Sequence, residues 1–405
     1  MSYYHKKYVY KIFDGGSFVG AWVDEVLSTP MFRNSINSGP GEMTVRLDRD
    51  FDSFGESVDV KLNNRVDLWV YDREIPAGLL FYRGFISGYR PVFEGYKEYV
   101  EVTVLSYVYE LSNYMLRDNS GDTQLAYYSE DPSDILRSVI DNYRDDGGTI
   151  AYTASSIENT GTTVTYTFNS NTVREAVDIV IELCPVGWYW LIDSSSIIHL
   201  HPRSAIANHS FVIGKHVNQM ETWRRSEDII NRVYFKGAGT PPLYRVYSNS
   251  GSISSYGLHC IHKVDGRVSV TGTADTMSNR ILDDKKDPEI RTRLTLLDTN
   301  GEDVYKGYDI ESIYPGETCK ILNIKGSIST ATPWDSAVWD TDVWDQTLTT
   351  TAADVTQILT VEYNPSSLVV ESSSRAPEIA KRIEDINRNL VLDQTADVPA
   401  TPDIA

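Results

Sequence analysis

The chain has 405 residues, 41% of them hydrophobic, and its 37 basic against 57 acidic side chains give a formal net charge of −20. This length exceeds what one hydrophobic core usually serves and predicts about two to four domains. The acidic balance argues against nucleic-acid binding as the main task, because phosphate backbones attract basic surfaces. We therefore expect no specific nucleic-acid binding.

The amino terminus predicts no targeting segment. The sequence MSYYHKKYVYKIF has lysines without a continuous apolar stretch after them, and no run of about 18 apolar residues occurs anywhere. We expect no signal peptide and no stable membrane insertion. Synthesis and assembly in a cytoplasm follow from this expectation. The cysteines Cys184, Cys260 and Cys319 are far apart and cannot all pair, so we expect reduced, buried thiols.

A β-hairpin opens the chain. Alternating residues between positions 3 and 26 predict two strands around the turn at 14–16, which reads Asp-Gly-Gly. Positions 28–40 have the Ser, Pro, Gly and Asn content of a loop, and positions 41–47 alternate as a third strand.

The clearest β pattern follows between residues 58 and 111, where three segments alternate apolar and polar residues. Gly84 and Gly88 lie at positions suited to a bulge or bend. These features predict a curled sheet. We assign residues 1–112 to a first β-barrel, completed by about 206–238.

Helical periodicity interrupts the β pattern in residues 113–205. Pro132 occupies the favoured first turn of one predicted helix, and Thr172 with Glu175 forms a capping box at the start of a second. Two strands joined by a turn follow within residues 188–200. We therefore predict that residues 113–205 form an inserted α/β domain.

A second β region follows the chain break Gly-Ala-Gly-Thr-Pro-Pro. Strand-like segments and one helix, at positions 275–284, predict a second β-barrel over residues 239–372. Residues 373–405 predict a helix followed by a mobile tail. The fold class is thus mainly β with an α+β insertion. The apolar face of the terminal helix is a candidate partner contact, made by Ile379, Ile383, Ile386 and Leu390.

Three Trp-Asp pairs recur at a spacing of five residues: Trp334-Asp335, Trp339-Asp340 and Trp344-Asp345. This spacing matches neither one helix face nor one strand face. One interpretation is an exposed loop that contacts a neighbouring subunit, a sugar or a membrane interface. The simpler one is a β-connection whose indoles pack on their own barrel. The adjacent aspartates disfavour deep membrane insertion.

No catalytic or metal-binding constellation is predicted. His199 and His201 share one strand face, but nothing fixes a third ligand, and His259, Cys260 and His262 present the same deficit. A Gly-x-Ser-x-Gly elbow is absent from the sequence. We expect no catalytic residue, no metal and no cofactor, and interpret these histidines as structural.

Several segments, taken in order, resemble the tail-hub or baseplate-hub proteins of tailed bacteriophages. They are spread over roughly residues 58 to 372, which is most of the chain. They are LWVYDREIPAGLLFYRGFISGY, YVEVTVLSYVYELSN, NTVREAVDIVIELCPVGWYWLIDSSSIIHLHP, SEDIINRVYFKGAG, and IYPGETCKILNI with ILTVEYNPSSLVVES.

The resemblance implies two tail-tube-like β-barrel domains in a structural, non-enzymatic homotrimer. Such a hub adapts the hexameric tail tube to a three-fold tip and lines a channel for DNA or the tape-measure protein. The expected partners are other copies of the chain, the tail-tube or distal-tail ring protein, the tape-measure protein and tip or fibre proteins. The expected location is the virion tail tip. The alternatives are a tail-associated cell-wall hydrolase and a carbohydrate-binding adhesin that uses Trp334, Trp339 and Trp344.

Overall fold

The computed structural model describes residues 6–49, 58–71, 75–118, 120–225, 227–298, 308–322, 355–364 and 367–373. The Trp-Asp pairs and the predicted terminal helix lie outside these ranges. Over the described residues the fold is mainly β, with curled sheets and few helices, as predicted. No helix in this part of the chain is both long and apolar enough to cross a membrane.

The strands, in chain order, are β1 (Lys7–Asp14), β2 (Ser17–Trp22), β3 (Phe32–Ser35), β4 (Gly39–Pro40), β5 (Met43–Leu47), β6 (Arg65–Tyr71), β7 (Leu79–Glu94), β8 (Lys97–Ser106), β9 (Gln124–Glu130), β10 (Val164–Asn169), β11 (Trp188–Ile192), β12 (Ile198–Pro202), β13 (His209–Val212), β14 (Val217–Arg225), β15 (Arg232–Lys236), β16 (Tyr244–Ser248), β17 (Cys260–Val264), β18 (Glu289–Leu297), β19 (Thr318–Leu322), β20 (Thr356–Asn364) and β21 (Ser367–Ser373). The α-helices are α1 (Pro132–Asp145), α2 (Val173–Leu183), α3 (Ser250–Tyr256) and α4 (Thr271–Lys285), and two 3-10 helices span Tyr107–Ser112 and Ile310–Ser312.

The N-terminal strands curl into a first barrel. Six of them form one sheet in the order β2-β1-β6-β7-β8-β5. Just after β2, the Leu27 amide donates to the Arg46 carbonyl at 2.8 Å, and the Asp48 amide donates to the Glu25 carbonyl at 2.7 Å. These bonds join the two edges of the sheet, so the strands enclose a core, as predicted for this region.

Strands β3 and β4 occupy positions that the sequence predicts as a loop. β3 leaves the first barrel and pairs antiparallel with β20 of the second sheet. Phe32 on β3 is buried, and its ring centroid lies 4.9 Å from that of Tyr82 and 4.8 Å from that of Tyr363. The loop prediction was wrong because local composition carries no information about a distant strand with a free edge.

The helices of the α/β region begin where the sequence predicts. Pro132 is the first residue of α1, and the Asp131 carboxylate accepts the Ser133 amide at 2.8 Å as the N-cap. At α2, the hydroxyl of Thr172 and the carboxylate of Glu175 form the reciprocal capping box. Both helices turn apolar faces into one core with β10, β11 and β12.

Strands β15, β16 and β17 form a separate three-stranded sheet that packs with α4 against the α/β region. The buried guanidinium of Arg280 on α4 donates to the carbonyl oxygens of Cys184, Pro185 and Trp188 at 2.6–3.0 Å, where α2 has ended. The sequence places residues 239–286 in the second barrel, and the structure differs here. The few apolar residues of α4 would suit either core, and the hydrogen bonds of Arg280 show which core the helix joins.

The second barrel has the strand order β13-β19-β20-β21-β18-β14. Its edge strands β13 and β14 are consecutive in the chain, and a tight turn bridges Ile213 to Val217 and so joins the edges. The sequence assigns residues 206–238 to the first barrel, but β13 and β14 pair in the second. Buried residues of both barrels belong to one continuous core, so the alternation of these strands suits either sheet. The exact domain boundaries stay a prediction.

Candidate interaction surfaces

The β7–β8 hairpin runs past the end of the first barrel. β6 accompanies β7 as far as Phe85, and β5 accompanies β8 as far as Val100, whereas β7 and β8 continue to pair up to Glu94 and Lys97. Within the described chain, residues 91–99 therefore form a ribbon of two strands with no third strand on either side. We call residues 91–99 the projecting ribbon.

The tip of the projecting ribbon carries unpacked aromatic rings. Phe93 is 74% exposed, and Tyr96 is fully exposed beside Gly95, whose φ of +66° allows the two-residue turn. An isolated two-stranded ribbon is marginally stable in water, and exposed aromatic side chains are typical of protein contacts. The ribbon is therefore a candidate contact element. Its sequence signal is a Gly-Tyr turn, at Gly95 and Tyr96, preceded by Phe93.

The two histidines of β12 share one face, as predicted, and each contacts a carboxylate. His199 Nε2 lies 3.1 Å from Asp193 Oδ2, and His201 Nδ1 lies 2.7 Å from Glu158 Oε1. Burial opposes ionisation of Asp193, but hydrogen bonds from His199 and from the Ile197 amide outweigh it and lower the pKa of Asp193. Nowhere in the described ranges do three His, Cys, Asp or Glu side chains gather as metal ligands.

The carboxylate of Asp146 and two of the three cysteine thiols have structural surroundings. The Arg117 guanidinium hydrogen-bonds the carboxylate of Asp146 and holds the pKa of Asp146 below its usual value. Burial raises the pKa of the Cys184 thiol to about 12 and that of Cys319 to about 11, so neither forms a thiolate near neutral pH. The prediction of buried thiols is wrong for Cys260, which is exposed on β17.

The remaining predicted site residues lie outside the described residues. These are Trp334, Asp335, Trp339, Asp340, Trp344 and Asp345 of the Trp-Asp pairs, and Ile379, Ile383, Ile386 and Leu390 of the terminal helix. Their role as partner contacts stays a prediction. The sequence did not single out the projecting ribbon, because strand alternation does not reveal how far a hairpin outruns its neighbours.

No protein-family model matches the sequence, and no curated protein matches it either. Solved structures are similar along nearly the whole chain. The 43 kDa tail protein of prophage MuSo2 from Shewanella oneidensis has a TM-score of 0.59 at 12% identity, with 91% of this chain and 98% of that chain covered. The tail protein from Neisseria meningitidis MC58 has a TM-score of 0.56 at 10% identity, covering 91% and 96%.

The prophage tail protein gp18 from Listeria monocytogenes EGD-e has a TM-score of 0.54 at 9% identity, and the match covers 95% of this chain and 99% of that chain. The chain has the fold of phage tail proteins. Because the match runs end to end, both barrels and the α/β region between them belong to that tail-protein fold. At sequence identities this low, the similarity extends to the fold and does not assign a role to any individual residue.

Proposed function

We propose that this chain is a structural hub protein of the tail tip of a tailed bacteriophage. The observation that carries the proposal is the end-to-end agreement of its fold with three phage tail proteins, over at least 96% of each of those chains. Because one fold can serve many functions, the surfaces of the chain bear on its function as well. The surfaces here offer exposed contact elements, and the histidines and buried thiols considered above have structural surroundings.

The proposed assembly is a homotrimer that adapts the hexameric tail tube to a three-fold tip. Two closed barrels in one chain support it, since three copies would then present a six-fold set of barrels to the tube. The net charge of −20 also supports a channel role, because an acidic lining does not retain passing DNA. The proposed neighbours are a tail-tube or distal-tail ring protein, the tape-measure protein and tip or fibre proteins.

The test is the mass and symmetry of the purified protein. Light scattering over a concentration series is expected to give three times the mass of the single chain, and electron microscopy is expected to show three-fold rings. Deletion of the coding sequence is expected to give particles without an assembled tail tip, which the intact sequence restores. A monomer at every concentration, together with normal tails after deletion, would contradict the proposal.

The same preparation tests the proposal that the protein is not an enzyme. Incubation with purified peptidoglycan is expected to release no soluble fragments, with a known lysozyme as the positive control. Release of fragments that persists after a second purification step would favour a cell-wall hydrolase over a structural hub.

A further inference from the structure

The three-stranded sheet has one face against α4 and one face toward solvent. Side chains alternate across a strand, so Val233 and Phe235 of β15 point into the core while their neighbours point outward. The strand register places outward residues of β15 beside outward residues of β16 and β17. This outer face consists of Arg232, Tyr234, Lys236, Tyr244, Val246, Ser248, Cys260, His262 and Val264.

The outer face is aromatic and apolar at its centre. Tyr234 on the middle strand is 38% exposed, and Tyr244 and Val246 on β16 are each 60% exposed. The Lys236 ammonium lies 5.9 Å from the Tyr244 ring centroid. Exposed tyrosines are typical of the centre of a protein–protein interface, where Tyr is enriched.

The charge of the outer face opposes that of the rest of the chain. None of its residues is acidic, whereas the whole chain has a net charge of −20. Arg232 and Lys236 lie on its middle strand, and among the described residues neither forms an ion pair with a carboxylate. Another copy of the chain carries a net charge of −20, so acidic groups outnumber basic ones and can complement these cations.

We propose that the outer face binds the acidic surface of a second copy of this chain. This inference rests on the proposed homotrimer and assigns one of its contact surfaces. A contact between two outer faces is disfavoured, because it would bring the cations Arg232 and Lys236 of both copies together with no carboxylate on either face. The contact is therefore heterologous, joining two different surfaces. A heterologous contact that closes on itself gives a ring, as a three-fold hub requires, and not a two-fold dimer.

Cys260 provides a probe on this face that needs no mutation. It is exposed on β17, whereas Cys184 and Cys319 are buried thiols with raised pKa values. A thiol reagent at neutral pH is expected to label Cys260 in the free chain and to lose that labelling when the chain assembles. Denaturation of the assembled sample should expose all three cysteines, and the label bound then gives the total number of reactive thiols.

The charge test is the double variant Arg232→Glu/Lys236→Glu. It is expected to stay monomeric at concentrations where the unmodified chain assembles, with Cys260 labelled at the free-chain rate. The matched control reverses two exposed cations elsewhere, Arg144→Glu/Lys215→Glu, and is expected to assemble and to protect Cys260. Circular dichroism shows whether each variant is folded. Added NaCl is expected to weaken assembly of the unmodified chain, because the contact joins opposite charges.

The outcomes separate this inference from the proposed function. A trimer in which Cys260 is labelled as fast as in the free chain would overturn the outer-face contact and leave the hub proposal standing. A chain that never assembles would overturn the outer-face contact, and together with normal tails after deletion it would overturn the hub proposal as well. Protection of Cys260 only after another tail protein is added would overturn the second copy as the occupant of this face.

Discussion

A buried cation at the start of β1 connects the two barrels, and its removal tests the packing between them. Lys6 Nζ lies 2.6 Å from Asp298 Oδ1, which follows β18, and also contacts the carboxylate of Glu311. The three side chains are 10%, 0% and 2% exposed. Two buried carboxylates therefore share one ammonium group.

Replacing Lys6 by methionine keeps the volume and removes the charge. Breaking a buried ion pair by removing one partner typically costs about 3–5 kcal/mol, because the remaining charge stays buried without a partner. We expect a loss of this size in the free energy of unfolding at pH 7. Urea unfolding followed by tryptophan fluorescence measures it, with far-UV circular dichroism as the second probe.

The matched control is Lys7→Met, one residue away on an exposed position of β1. Surface substitutions usually change stability by no more than about 0.5 kcal/mol. The Lys6→Met variant should also recover part of its stability at pH 5, since Glu311, whose pKa is raised to about 7, is then protonated and neutral. Equal stability of the two variants at pH 7, with no recovery in acid, would refute the reasoning.

Three further predictions concern stability. Burial and the nearby Asp298 charge raise the pKa of Glu311 from 4.5 to about 7, against the opposing effect of its lysine partner. Between pH 4.5 and 7 the native state therefore holds more protons on Glu311 than the unfolded state does, so the contribution of Glu311 to the free energy of unfolding falls as the pH rises. Glu311→Gln is expected to remove this pH dependence in unfolding measured from pH 4.5 to 7. A Cβ on Gly84 would lie 2.3 Å from the Leu105 carbonyl oxygen, so Gly84→Ala is expected to destabilise the fold by about 1–3 kcal/mol. A Cβ on Gly88 would meet no atom within 4 Å, so Gly88→Ala should leave stability unchanged. Equal melting temperatures of the two variants would contradict this prediction. Phe32→Ala is expected to cost about 3–5 kcal/mol by emptying the aromatic cluster between the barrels, and Phe32→Leu clearly less, as measured by thermal unfolding.

Local signals predicted the elements whose ends are fixed by neighbouring residues. The α2 helix begins at its capping box, and the strands β11 and β12 follow with the turn between them, because caps and turns depend on residues a few positions apart. The bulge between β7 and β8 at Ile86–Gly88 was likewise indicated by a glycine.

Long-range choices were not predictable in the same way. The segment at 267–272 alternates like a strand, yet Val268 packs into the α/β core and α4 begins at Thr271. Strand β3 pairs with β20, which lies more than three hundred positions further along the chain. The buried Phe32 packs at this contact, but in the sequence it is one apolar residue in a stretch with loop composition. Alternation of apolar and polar residues indicates that a strand has one buried and one exposed face, but it does not indicate which sheet the strand joins.

The candidate interaction surfaces were also not predictable from local sequence. Tyrosine suits a strand face that is either half-buried or in contact with a partner, so the 26 tyrosines of the chain did not single out Tyr234 or Tyr244. What distinguishes the outer face is the register that gathers cations from one strand and exposed rings from the next. That grouping exists only in three dimensions.

The two surfaces stand on different parts of a connected framework. The projecting ribbon belongs to the first barrel, and the outer face belongs to the sheet packed on the α/β region. The shared core of the barrels, the β3–β20 pairing and the Lys6 cluster hold the two barrels together, and close-packed interiors of this kind deform little. An aromatic tip and a basic sheet suit partners of different chemistry. In the proposed hub, the outer face would contact the next copy, leaving the ribbon free for a different tail protein.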